Sequence, residues 1–85
     1  MTKMDDLTPD EARTLRWLGQ KKYSQYGECH GPALDGLIAK GLAQLHPASD
    51  PETIAMTQAG FISRGRSRMF WAVSLTDAGR KLIDG

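Results

Sequence analysis

The apolar positions near the start of the chain predict an amphipathic helix. Leu15 and Leu18 recur at helical spacing, and polar side chains fill most positions between and around them. Thr8 is followed three residues later by Glu11, the pattern of a capping box in which each side chain bonds the other's backbone amide. We therefore predict a first helix over residues 8–22.

A second apolar stripe lies on one helical face, at Leu34, Leu37 and Ile38. Gly41 suits the left-handed residue that commonly follows the end of a helix. The pattern predicts a helix over residues 32–40, which turns directly into a short strand over residues 42–46.

Two segments lack a sustained period. Residues 23–31 contain two glycines and favour a short strand or a single helical turn. Residues 46–62 start as a loop and continue with an Asp-Pro helix start, but β-branched residues then lower the helical propensity. We expect a helical turn or an irregular strand over residues 51–62.

The last third of the chain predicts a strand and a closing helix. Residues 69–75 are dense in aromatic and branched side chains, as in strands. Residues 63–68 before them have the composition of a loop. Thr76 can cap a final helix over residues 76–83. The whole order is helix, short element, helix, strand, basic loop, strand and helix.

The length of 85 residues predicts one domain, residues 1–85, with one hydrophobic core. Hydrophobic residues make up 40% and charged residues 25% of the chain, which fits a globular protein and argues against disorder. No apolar run is long enough to cross a bilayer, and the start does not resemble a secretory signal. We expect a cytoplasmic protein without a membrane contact.

The residues that usually carry catalysis or bind metals are sparse. Cys29, His30 and His46 are the only cysteine and histidines, and their spacing matches no Cys-x-x-Cys or His-x-x-x-His pair. No sequence motif pairs a nucleophile with a base, and no glycine-rich loop could hold a phosphate. We predict a protein that is not an enzyme and that holds neither a cofactor nor a metal.

The net charge of +1 is nearly neutral, but the charge is unevenly distributed. Arg64, Arg66 and Arg68 alternate with small residues, so in an extended segment their side chains would lie on one side. Such a row can contact phosphates. The alternative is a solvated hairpin tip whose arginines pair with carboxylates.

Three phrases resemble the winged helix-turn-helix family, especially its small MarR/PadR-like regulators from bacteria and bacterial viruses. The phrases are LDGLIAKGL at residues 34–42, VSLTDAGR at residues 73–80, and LTP at residues 7–9. The resemblance implies an α+β fold with three helices and a two- to three-stranded β-wing. It also implies that residues 32–40 form the recognition helix and residues 63–68 the wing.

By the same resemblance, the protein would be a transcriptional regulator, or an accessory factor of a phage or mobile element, that contacts duplex DNA. The candidate nucleic-acid-binding residues are Arg64, Arg66, Arg68, Lys40, His30, Lys21 and Lys22. The predicted recognition helix offers few side chains that read bases. That feature and the near-neutral charge favour an alternative, a protein-interaction module that docks on a host or regulatory complex, or on a second copy, without binding DNA.

Overall fold

The computed structural model describes residues 3–21, 24–65 and 67–84. In these ranges the helices are α1 (Pro9–Gly19), α2 (Tyr26–Cys29), α3 (Pro32–Ala39), α4 (Pro51–Gln58) and α5 (Asp77–Asp84), with 3-10 helices at Met4–Asp6 and Arg68–Phe70. The strands are β1 (Ser24–Gln25), β2 (Ala43–His46) and β3 (Ala72–Leu75). They form an antiparallel sheet in the order β1-β3-β2, so the fold is α+β.

The first helix begins at the predicted capping box. The Glu11 amide donates to the Thr8 hydroxyl at 3.1 Å, and the Thr8 amide donates to the Glu11 carboxylate at 2.9 Å. The helix ends at Gly19 rather than at residue 22, because the Gln20 amide bonds a carbonyl three residues back and tightens the last turn.

The core lies between α1, α3 and one face of the sheet. β3 is the central strand, and its Val73 and Leu75 face this core opposite Leu45 and Ala43 of β2. The buried core residues are Leu15, Leu18, Tyr26, Leu34, Leu37, Leu42, Ala43, Val73 and Leu75. In the described part of the chain no helix has both the length and the apolar character needed to cross a bilayer.

The turn after α3 and the turn before α5 are bonded to each other. The Thr76 amide donates to the Leu42 carbonyl at 3.0 Å, and the Thr76 hydroxyl donates to the Gly41 carbonyl at 2.7 Å. The same hydroxyl accepts from the Gly79 amide at 3.1 Å. Gly41 has a φ of +76°, which glycine adopts without strain. The two longer phrases of the sequence therefore meet in one structural junction.

The described residues form five α-helices, so the expectation of three is wrong. The fourth helix lies where a helical turn or an irregular strand was expected. Tertiary contacts outweigh the weak helical propensity of this segment. The Thr53 hydroxyl donates to the His46 carbonyl at 2.7 Å and accepts from the Ala72 amide at 3.2 Å. The other additional helix, α2, is the single turn expected as one alternative for residues 23–31, and β1 in the same stretch is the short strand expected as the other.

The strand predicted over residues 69–75 is shorter in the structure and begins at Ala72. Residues Arg68–Phe70 instead form a 3-10 helix, which Ser67 caps by accepting from the Met69 amide at 3.2 Å. The predicted strand over 42–46 likewise begins at Ala43, and the predicted final helix is shifted by one residue.

We predict that Gly79→Ala lowers the free energy of unfolding by about 1–3 kcal/mol, the usual range for overpacking. A Cβ at this position would collide with the Leu42 backbone carbonyl, which the junction holds in place. Urea unfolding measures the change. The matched control is Gly19→Ala, whose Cβ would collide only with the movable tip of the Ile83 side chain. It should change stability by less than about 1 kcal/mol, and equal losses in both variants would contradict the prediction.

Candidate nucleic-acid interface

The sheet has two ends that carry different parts of the predicted site. At one end Ala72 pairs with both Gln25 and His46, and the β2–β3 connection (residues 47–71) extends from there. At the other end Leu75 pairs with Ala43, next to the end of α3. The four residues of β3 separate these two ends by roughly 10 Å. We refer to them as the Ala72 end and the Leu75 end.

The described arginines of the β2–β3 connection are exposed and unneutralised. Arg64 lines a shallow groove with Ile54 and Gln58 of α4, and Arg68 begins the 3-10 helix that leads into β3. Among the described residues, no carboxylate lies within salt-bridge distance of either arginine. For these two arginines the structure thus does not support the alternative of a tip neutralised by carboxylates. Arg66 lies outside the described residues.

The sequence around these arginines contains no acidic residue. Residues 53–76, which we call the acid-free run, include three arginines and neither aspartate nor glutamate. Since the whole chain carries a net charge of only +1, the rest of the protein is net negative. The connection has Asp50 and Glu52 at the start of α4, whereas the part that follows them carries only positive charge, which favours contact of that part with an anionic partner.

His30 lies close to the segment that carries Arg68. It caps α2, with its Nδ1 3.1 Å from the Gly27 carbonyl. Helix α2 packs against the 3-10 helix, and a Cβ placed on Gly27 would be only 3.1 Å from the Met69 carbonyl. The exposed His30 thus caps a helix that packs against the segment carrying Arg68.

Lys40 lies at the other end of the sheet and has its own partners. Its ammonium is 2.6 Å from the Glu11 carboxylate and 3.2 Å from the Asp6 carbonyl. It directly precedes Gly41, whose carbonyl is bonded to Thr76 beyond the Leu75 end. The expectation that Lys40 shares one face with the wing arginines does not fit this position, because its charge is used to pack α3 against α1.

Of the two remaining predicted cations, Lys21 lies just beyond the end of α1. The Lys21 ammonium lies 4.3 Å from the centre of the Trp17 ring, in a cation–π contact. Lys21 is also close enough to Cys29 to act on its thiol electrostatically. Lys22 lies outside the described residues. Lys21 is thus engaged with α1 and α2, apart from the arginines of the connection.

The structure contains one polar constellation that the sequence did not reveal. Ser74 Oγ lies 2.8 Å from His46 Nε2, and His46 Nδ1 lies 3.5 Å from the Asp50 carboxylate. This order resembles a nucleophile, a base and an acid. However, Ser74 and His46 are each only 8% exposed, and Ser74 lies on the central strand, so a substrate cannot approach the hydroxyl. We interpret the group as a structural tie between β2, β3 and α4.

Cys29 has the chemistry of a half-buried structural thiol. Burial, with the nearby Glu28 carboxylate as a smaller cause, raises its pKa to about 11. The thiol is therefore protonated at neutral pH and is neither a good nucleophile nor a ready metal ligand. Within the ranges that the structure describes, no three histidine, cysteine or acidic side chains are grouped so as to hold a metal ion.

No protein-family model, curated protein or solved structure matches this chain. The function must therefore be argued from the chain's own geometry and charge. Its most distinctive surface is the Ala72 end of the sheet, where exposed arginines lie in the acid-free run.

We predict that Glu11→Gln destabilises the protein at neutral pH and that this loss shrinks on acidification. The hydrogen bond from Lys40, followed by that from the Thr8 amide, lowers the pKa of Glu11 below its ordinary value of 4.5. A lowered pKa stabilises the fold above the unfolded-state value, and this contribution is lost as the pH falls through the folded-state value. Urea unfolding from neutral pH to below 4.5 tests the prediction.

The matched control for the loss of one negative charge is Asp35→Asn, on the exposed side of α3. The wild-type protein and the Glu11 variant should converge in stability at acidic pH. A stability difference between them that stays constant over the whole pH range would contradict the role given to Glu11.

Proposed function

We propose that the protein is a winged-helix module that binds duplex DNA through the Ala72 end of its sheet. The observation that carries this proposal is the pair of exposed arginines, Arg64 and Arg68, in a run of 24 residues (53–76) without acidic side chains. Cations without carboxylate partners can replace the counterions that surround phosphates. The release of these counterions is the main source of affinity for DNA.

The arrangement of elements supports the winged-helix part of the proposal. Helix, strand, helix, helix, strand, connection, strand and helix follow one another, and β1 adds to the edge of the β2–β3 pair. This order is compatible with a winged helix in which α2 and α3 form the helix-turn-helix pair. The β2–β3 connection then corresponds to the wing, with α4 as a helix inserted into it.

The exposed side of α3 offers few groups that could donate hydrogen bonds to base edges. Asp35 and Ala39 are exposed on this helix, and neither side chain can donate a hydrogen bond to a base. Lys40 is held by Glu11 at the far end. We therefore propose contacts by Arg64, Arg68 and His30 to the sugar–phosphate backbone, and weak preference for sequence.

One observation favours a second candidate function, a protein-interaction module. Three large apolar side chains on or near the β2–β3 connection are exposed, namely Ile54 at 44%, Phe61 at 71% and Met69 at 37%. Exposed apolar surface often marks a protein interface. The arginines around it would then require a partner with an acidic surface.

We predict salt-sensitive binding to a short random duplex, with log K falling against log salt with a slope of about −2 to −3. Arg64→Ala and Arg68→Ala should each make the slope less steep by about one, because each removes one phosphate contact. Fluorescence anisotropy between about 50 and 200 mM salt measures the slope.

Arg80→Ala removes the same charge from the exposed surface of α5 and is the matched control. It should leave the slope nearly unchanged. Absence of duplex binding at low salt, or the same loss for all three variants, would overturn the DNA proposal. Nuclease-resistant capture of an acidic protein partner by the wild type, abolished in the Arg64 variant, would instead support the second candidate.

A further inference from the structure

Phe61 is the most exposed of the large apolar residues, and its backbone is held on both sides. Its amide donates to the Met56 carbonyl at 3.0 Å, and the preceding Gly60 adopts a φ of +84° to end α4. On the other side Ile62 is only 5% exposed, and the Ser63 amide donates to the Gln25 side chain at 3.0 Å. The ring is thus presented to solvent from a fixed stretch of chain.

This arrangement leaves the apolar ring available to a ligand. Phenylalanine is among the side chains most often buried, and at 71% exposure most of the ring remains in water. The bonds on both sides of Phe61 limit how far the backbone can move to bury the ring. The geometry therefore presents an apolar group at a defined place, as a binding surface does.

Phe61 lies next to the cations of the proposed DNA-binding surface. It precedes Arg64 by three residues, so their Cα atoms are separated by at most about 11 Å. Both residues belong to the acid-free run. A single ligand that contacts the Arg64 guanidinium with an anionic group can therefore contact the Phe61 ring with an apolar one.

The positive charge of Arg64, three residues from Phe61, favours an anionic occupant of this surface. In a two-fold dimer built on Phe61, the arginines would approach the same arginines of the second copy, which costs free energy. A neutral apolar partner would cover cations without compensating them. DNA combines phosphates, which pair with the arginines, with flat apolar base surfaces, which stack on an aromatic ring.

We propose that Phe61 inserts as a wedge between neighbouring base pairs of the bound duplex, beside the phosphate contact of Arg64. Inserted apolar side chains partly unstack a base step and kink the duplex. The flexible pyrimidine–purine steps accept such a wedge at the lowest cost. This inference rests on the proposed function and adds the kind of DNA that the protein prefers, a duplex that is easily kinked.

The experiment uses the full chain and a duplex that carries 2-aminopurine at a central TA step. Insertion of Phe61 should unstack the probe and raise its fluorescence on binding. Phe61→Ala should abolish this rise and weaken binding roughly tenfold, the loss of one aromatic stacking contact. The salt slope should stay unchanged, since the arginines are intact. Phe61→Trp should keep the fluorescence rise.

Ile54→Ala is the matched control, because it removes another exposed apolar side chain from the helix preceding Phe61. It should leave the fluorescence rise intact. Salt-dependent binding without a rise in the wild type, or an equal rise in wild type and Phe61→Ala, would overturn the wedge while leaving the proposed function in place. A wild type that binds no duplex at low salt would overturn both.

Discussion

The packing of α1 against α3 depends on the carboxylate of Glu11, which is enclosed by both helices. It accepts from the Thr8 amide within its own helix and from the Lys40 ammonium across the interface. A carboxylate in this position is stable only when it is paired. Gly36 lies one helical turn before Lys40 on α3, and a Cβ there would collide with the Glu11 side chain. One face of α3 thus supplies both the space and the charge for the carboxylate.

The same interaction explains why the phrases of the sequence indicate a fold better than a function. Lys40 compensates Glu11, Gly41 turns the chain, and Leu42 is buried while its carbonyl accepts from Thr76. Gly79 allows the last helix to lie against that carbonyl. All of these residues are occupied in the junction between the helices and the sheet, so the function must be carried by other side chains.

Sequence patterns predicted the elements whose signals are local. The capping box at Thr8 started α1, and the glycine after α3 and the threonine before α5 marked the ends of those helices. The patterns failed for α4, because Thr53 is stabilised by contacts with distant strands, and for the pairing of His46 with Ser74, which are 28 residues apart. They also grouped Lys40 with the arginines, since its carboxylate partner is known only from the packing of the helices.

The near-neutral charge of the chain is compatible with an anionic partner, because the arginines of the β2–β3 connection lie next to anchored residues. On one side the Ser63 amide is bonded to Gln25 of β1, and on the other the 3-10 helix with Arg68 packs against α2. Arg64, next to the bonded Ser63, and Arg68, within the 3-10 helix, lose less conformational entropy on binding than they would on a free loop. A few cations placed in this way can contribute more to binding than the same number on a flexible loop. The net charge is therefore a poor guide to this surface, since none of the acidic residues that offset the arginines in the total lies within residues 53–76.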